Sequence, residues 1–318
     1  MKRFDVTALG ELLIDLTQND ISSQGNPILE ANPGGAPCNV LACLAKMGHA
    51  TAFIGKVGKD GFGDQLAAGL KEVGICTDGL QFDPQVHTTL AVVHTYADGD
   101  RDFSFYRNPG ADMMLKTEEV DAELIRSSKI FHFGSLSMTD EPCRSAHLRA
   151  LQIAEEAGVL RSYDPNLRPP LWPDLDTAKE NILTLMGHCD ILKISDNEIQ
   201  WLSGKEDFDE GIAWLRQRYD IPLIFLTLGK DGSRAYCGDV RGEAAGFKMN
   251  TIETTGAGDT FFGSVLHHVL QKGLRQYTQQ ELEEMLRFAN AAAAIVTTRR
   301  GALRVMPGED EIQAVLAQ

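Results

Sequence analysis

Asp190-Ile191-Leu192-Lys193-Ile194, a helical pattern from Glu210 to Arg218, and then Leu223-Ile224-Phe225-Leu226-Thr227 decide the fold. Two short apolar runs flank an amphipathic stretch, the mark of a β-α-β unit. The same rhythm extends toward the N-terminus. Phe4-Asp5-Val6-Thr7-Ala8-Leu9, ended by Gly10, reads as a first buried strand, and Thr51 to Gly55 and Ile130 to Phe133 read as others. Helical patterns at Pro37 to Lys46, Gly63 to Glu72, Glu141 to Glu156 and Thr177 to Met186 lie between them. Downstream the rhythm breaks. Phe261, Phe262, Val265, Leu266, Val269 and Leu270 recur at helical spacing, a second helix runs from about Gln279 to Ile295, and a last one begins near Glu309. The pattern predicts an α/β fold: a doubly wound, mostly parallel sheet with helices on both faces. Thr88 to Tyr106 alternates around Asp98-Gly99-Asp100, a hairpin signal. It reads either as a small separate β lid or as an edge hairpin of the main sheet.

The 318 residues suit two domains or one large α/β domain. With 43% hydrophobic and 24% charged residues the chain is globular, which excludes a disordered chain, a collagen and a coiled coil. Its 30 Lys and Arg against 45 Asp and Glu leave a net charge of −15. The densest basic group is Arg299-Arg300 with Arg304, no footprint for nucleic acid. The six cysteines form no C-x-x-C pair and no zinc spacing, so reduced thiols in a cytoplasmic protein are expected. Basic residues at the start precede no apolar run, so no signal peptide is expected, and no run approaches the length of a membrane span.

Four polar clusters lie at predicted strand ends or helix starts. Thr254-Thr255-Gly256-Ala257-Gly258-Asp259 opens a helix, where unpaired N–H groups make an anion site. Asp259 there is either a base beside a transferring phosphoryl group or a helix cap. Pro33-Gly34-Gly35-Ala36-Pro37-Cys38-Asn39 opens another helix and suits a polyhydroxylated ligand or an ordinary turn. Asp15 follows the first strand, where it can accept two vicinal hydroxyls or sit as a solvated loop acid. Tyr163-Asp164-Pro165-Asn166-Leu167-Arg168 follows a further strand, as a ligand cluster or a surface turn. Thr227-Leu228-Gly229-Lys230-Asp231-Gly232 is a strand and glycine loop open to nucleotide. Walker A, H-R-D, G-x-S-x-G and H-E-x-x-H motifs and an early dinucleotide fingerprint are missing, which argues against P-loop, protein-kinase, hydrolase, zinc-protease and Rossmann oxidoreductase readings.

Taken together, the Gly34-Gly35 loop with Asn39, the downstream Gly55 and Gly58, and Thr254 to Asp259 resemble the ribokinase-like carbohydrate kinases of the PfkB type, over essentially the whole chain. Within that family Asn32 to Pro37, Arg107 to Asp112, Phe131 to Ser137 and Asp164 to Arg168 are most similar to the bacterial fructokinases. The resemblance implies one kinase unit over residues 1–318, with a lid from about 16–33 and 87–112, that moves a phosphoryl group from ATP to the 6-hydroxyl of D-fructose. It implies Asp259 as base, with the Gly256, Ala257, Gly258 and Asp259 backbone as anion hole. Asp15, Gly34, Gly35, Asn39, Phe105, Arg107, Asp164, Asn166 and Arg168 are its sugar or phosphate contacts. Lys193, Ser195, Thr227, Gly229, Gly232 and Asn290 form its nucleotide site, and Glu198 matches the acid of an N-x-x-E motif linked to Mg²⁺. Ser195 stands where that motif has Asn. Glu253 stands where relatives have Asp and, with Thr255, Val296, Arg299 and Gly301, marks a candidate K⁺ site. A homodimer is expected, with no nucleic-acid or membrane partner. Alternatives are a kinase for 2-keto-3-deoxygluconate, ribose or an aminoimidazole riboside, or a non-catalytic sugar- or nucleotide-binding regulator.

Overall fold

The computed structural model describes residues 2–95 and 101–317. The first part of the chain runs β1 (Phe4–Leu9), β2 (Leu13–Ile21), β3 (Pro27–Gly34), α1 (Ala36–Lys46), β4 (Thr51–Gly58), α2 (Gly61–Glu72), β5 (Ile75–Asp83), β6 (Leu90–Thr95) and β7 (Arg101–Tyr106). The middle runs α3 (Ala122–Arg126), β8 (Ser128–Gly134), α4 (Cys143–Glu156), β9 (Leu160–Asp164), α5 (Leu175–Met186), β10 (Ile191–Ser195), α6 (Asp196–Ser203) and α7 (Phe208–Arg216). The last part runs β11 (Leu223–Thr227), β12 (Gly232–Cys237), β13 (Val240–Ala245), α8 (Ala257–Lys272), α9 (Gln279–Val296) and α10 (Glu309–Leu316).

A nine-stranded sheet has the order β13-β12-β11-β10-β9-β8-β1-β4-β5. From β11 to β5 all neighbours are parallel; β12 and β13 close one edge antiparallel. Both faces are buried, and the side chains divide with period two. Val6, Ala8, Ile130, Ile191 and Phe225 pack toward α1, α8 and α9. Phe131, Phe133, Leu192, Ile194 and Leu226 pack toward α4 to α7. From β1 the chain moves to β4 and β5 on one side, then returns to β8 through β11 on the other. That reversal opens a crevice at the carboxyl ends of β1 and β8, where open α/β sheets bind ligands.

A second sheet has the order β3-β2-β6-β7. The alternating segment therefore belongs to a separate sheet rather than to the main sheet's edge; its Asp98-Gly99-Asp100 turn lies outside the described residues. β2 starts at Leu13, earlier than the expected lid segment, so Asp15 sits on a lid strand and not in a loop. Among the described residues no helix is long and apolar enough to cross a membrane.

Candidate active site

The crevice holds a cavity of about 360 Å³ between the two sheets. Its wall on one side is the start of α8. Gly256 caps that helix with φ 78°, and a Cβ there would lie 2.8 Å from the Ala302 Cβ, so glycine is required on two counts. The next residues, Ala257, Gly258 and Asp259, form the first turn; the Ala257 N–H donates to the Thr254 carbonyl at 3.2 Å, while those of Gly258 and Asp259 have no partners further back in the helix. Gly258 keeps the approach open, since a Cβ there would sit 3.2 Å from the Lys193 ammonium. Lys193, near the end of β10, pairs with Asp164 at the end of β9, Nζ to Oδ2 at 3.0 Å. Burial works against both charges. The Asp164 and Glu198 carboxylates overcome it for Lys193, whose pKa lies above the ordinary lysine value. Burial leaves Asp164 raised to about 6 despite Lys193. A cation and a set of oriented N–H groups thus converge on one point.

Asp259 is buried at that point. Asn39 on α1 donates from Nδ2 to Asp259 Oδ2 at 2.8 Å. Burial raises the Asp259 pKa above the ordinary aspartate value, while Asn39, Lys193 and Arg168 pull it back. The Asn39 Oδ1 is buried without a partner among the described residues. Asp15 faces the same cavity from the lid sheet and is pushed up to about 7 by burial, against the pull of Arg168 and with the Glu253 and Asp259 charges adding to the rise. Gly34 lies against the Asp15 carboxylate, and a Cβ on Gly35, at φ 126°, would clash with the Glu11 carbonyl oxygen. Phe105 of β7, Asn166 and Arg168 complete the wall. The arrangement places a buried acid, hydroxyl acceptors and an anion hole within one small volume. That set can deprotonate an alcohol as it attacks a phosphoryl group.

The profile of the pfkB family carbohydrate kinases matches residues 3–308. The chain belongs to that family. This carbohydrate kinase is 42% identical over 313 residues to a probable fructokinase, fructokinase-4, of Arabidopsis thaliana, covering 98% of this chain and 96% of the relative. Fructokinase with bound ATP from Xylella fastidiosa superposes with a TM-score of 0.89 at 30% identity over 98% of each chain. A fructokinase double mutant from Vibrio cholerae in a fructose-, ADP- and potassium-bound form superposes with a TM-score of 0.87 at 28% identity over 99% of each.

In this carbohydrate kinase a second cavity of about 480 Å³ adjoins the first and shares Asn166, Arg168 and Lys193 with it. Glu198 lines it. Its Oε1 accepts from the Leu167 N–H at 2.8 Å, and Oε2 accepts from the Ser195 N–H at 2.9 Å and Oγ at 2.8 Å. Ser195, in the place of Asn, is the cap of α6 and holds Glu198. Among the described residues no three His, Cys, Asp or Glu side chains gather as a metal site. Glu198 is buried with both oxygens engaged, so its carboxylate would fit a Mg²⁺ carried in by nucleotide phosphates through the waters that ion keeps. At the candidate K⁺ site Glu253 Oε2 accepts from the Gly301 N–H at 3.1 Å, and the Val296 carbonyl accepts from the Arg299 N–H at 3.1 Å. One carboxylate and backbone carbonyls are hard oxygen donors that fit such a cation. The Arg299 side chain turns away, to the Val305 carbonyl and Glu311. Thr255 lines the first cavity.

Two expected contacts lie away from both cavities. Arg107 is buried and does not line the cavity. Its Nε donates to Asp112 Oδ2 at 2.8 Å, Nη1 to Thr139 Oγ1 at 2.9 Å and Nη2 to the Leu136 carbonyl at 3.0 Å. It anchors the segment after β7 rather than reaching for sugar. Asp112→Ala would strand this guanidinium in a buried place, and chemical denaturation should show a loss of about 3–5 kcal/mol; a loss near zero would mean that the pair does not hold the segment. Asn290 is the second. Its Nδ2 donates to the Ala244 and Ala245 carbonyls at 3.1 and 3.2 Å, and its Oδ1 accepts from Ser233 Oγ at 2.9 Å. Its amide clamps α9 to β12 and β13, and it borders neither cavity. Thr227 ends β11, Gly229 turns the chain at φ 56° and Gly232 begins β12; none of the three borders either cavity. The first cavity is also lined by Ala36 and Thr254, from two of the clusters named in the sequence, and by Glu11, Leu13 and Leu136, which were not expected there. Glu11 had one readable signal, an acid directly beyond the carboxyl end of the first strand.

Proposed function

We propose that this carbohydrate kinase is a fructokinase that transfers the γ-phosphoryl group of ATP to the 6-hydroxyl of D-fructose. The observation that carries the proposal is Asp259, buried, held by Asn39 and placed on the first turn of α8 beside Lys193. Fructose as the acceptor rests on the similarity to fructokinases along the whole chain. Asp15, Asn39, Asn166 and Arg168 are assigned to the sugar, and Lys193 with the α8 amides to the transferred phosphoryl group. Phosphoryl transfer passes through a loose transition state, so the protein mainly positions groups and stabilises charge. A carboxylate is a weak base toward a free alcohol, but the hydroxyl becomes acidic as the P–O bond forms, and Asp259 then takes the proton. Mg²⁺ arriving with the nucleotide neutralises phosphate charge, with Glu198 beside it. The lid sheet closes over the sugar and excludes water.

The test is ADP release with Mg-ATP across fructose, ribose, 2-keto-3-deoxygluconate, adenosine and an aminoimidazole riboside. Fructose should give the highest kcat/KM; another winner overturns the substrate, and silence across the panel overturns the kinase reading. A pH profile adds a second check. Asp15 is pushed up to about 7, so it is protonated as the pH falls below that value and can no longer accept from two hydroxyls. With Asp259 and its neighbours it titrates as a cluster. We expect kcat/KM for the sugar to fall steadily below about pH 7. A profile flat down to pH 5 would count against ionised Asp15 as the sugar acceptor.

The lid carries exposed Ile21, Ile28, Leu29 and Tyr106, which supports a homodimer contact there. The cysteines are free thiols, which suits the cytoplasm.

A further inference from the structure

Glu11 lies between β1 and β2, on the floor of the cavity that holds Asp15 and Asp259. It is 4% exposed. Its Oε1 accepts from the Ala36 N–H, the first residue of α1, at 2.9 Å. The nearby Arg107 guanidinium is already taken by Asp112, Thr139 and Leu136, and among the described residues Glu11 forms no ion pair. Burial pushes its pKa up to about 7, against the backbone N–H donors of Glu11 and Ala36.

Capping α1 accounts for one oxygen of this residue. The cap position is Gly35, with no side chain to offer, and Oε1 of Glu11 serves in place of the short Ser, Thr, Asp or Asn usual there. A glutamate, with a second oxygen and a longer reach, also brings a buried charge to the wall of the cavity. A buried charge is costly unless donors surround it. A polyhydroxylated ligand supplies such donors, and the cavity is the place where one would meet Glu11.

We propose that Glu11 is a specificity-determining contact of the sugar site, accepting a hydrogen bond from one hydroxyl other than the one that reacts. The proposal rests on the sugar-kinase reading given above. It implies that the enzyme discriminates against sugars in which that hydroxyl is missing or inverted, because the carboxylate would then be left buried and unpaired.

The experiment measures kcat/KM for D-fructose and for analogues that each lack or invert one hydroxyl, with the wild type, E11Q and E11D. Glutamine keeps the shape and the oxygen that caps α1 but can turn a donor toward the cavity. Aspartate keeps the charge and withdraws it by one methylene, and serves if E11Q fails to fold. The wild type should lose about tenfold to a hundredfold on one analogue, the size of a hydrogen bond to a charged group. In either variant the penalty for that same analogue should largely vanish, while KM for ATP stays put. A variant that loses activity equally on fructose and on every analogue overturns the Glu11 contact and leaves the kinase standing. A wild type that phosphorylates no sugar overturns both.

Discussion

Asp259→Asn should lower kcat for sugar phosphorylation by about 10²–10⁴-fold, the usual worth of a positioned proton acceptor. The substitution keeps size and shape. The new side-chain oxygen can still accept from Asn39 Nδ2, as Asp259 Oδ2 does at 2.8 Å. The first turn of α8 keeps its N–H groups, because Gly256 sets that turn and not residue 259. Ground-state binding should therefore change much less than turnover, and KM for the sugar should stay within a few-fold. Burial disfavours the Asp259 charge, so the neutral amide also removes an electrostatic strain, and the melting temperature should hold or rise. Steady-state kinetics with a thermal melt on the same sample checks both halves. Near-normal turnover would take Asp259 out of the base role.

Lys193→Met should damage both stability and chemistry. Lys193 and Asp164 form an ion pair that is almost wholly buried, at 3.0 Å. Removing one partner of such a pair leaves the other charge alone in a poor solvent, at a typical cost of about 3–5 kcal/mol. The Lys193 ammonium holds its proton more tightly in the fold than in the open chain. Its contribution is thus present at neutral pH and is lost only as the pH rises through the folded-state pKa. The activity loss has a separate origin. The ammonium lies beside Gly258, where phosphoryl oxygens would gain charge, and loss of one such stabilising group is worth about 10²–10³-fold in kcat. The double variant Lys193→Met with Asp164→Asn separates the two effects. It should recover most of the stability, because no charge is left unpaired, and recover little turnover. Full recovery of turnover would show that Lys193 is a structural group only.

The parts of the fold that were legible share a physical cause. Ile191 to Ile194 and Leu223 to Thr227 are buried on both faces, so their apolar runs are unbroken and easy to separate from the helices between them. β12 and β13 are an antiparallel edge where Arg234, Arg241 and Glu243 alternate with small residues, and that edge did not register as strands. Among the residues that line the cavity, those at helix starts were legible because two glycines and a polar side chain gather at the head of a helix in each case. Arg107 and Asn290 were harder to place. Both are polar residues near the right motifs, but Arg107 is held by Thr139 and the Leu136 carbonyl and Asn290 by Ser233, partners set by tertiary packing that no local pattern carries. Glu11 was passed over because it sits in an apolar stretch, where its place at a strand end is a weak signal that burial without an ion pair makes conspicuous.

Asp15 lies on β2, a strand of the small sheet, while Asp259 lies on the helix that packs beneath the large one. The two acids assigned to the sugar thus belong to different layers, the proposed cover and the floor beneath it. A sugar held by both is a tie-bar between cover and floor, and its own hydroxyls hold the chamber shut. Once the reacting oxygen carries phosphate, the hold on the floor side weakens while the hold on the cover side remains. The product should therefore leave with the cover rather than slip out from under it, so that opening and release are a single event on the reaction clock.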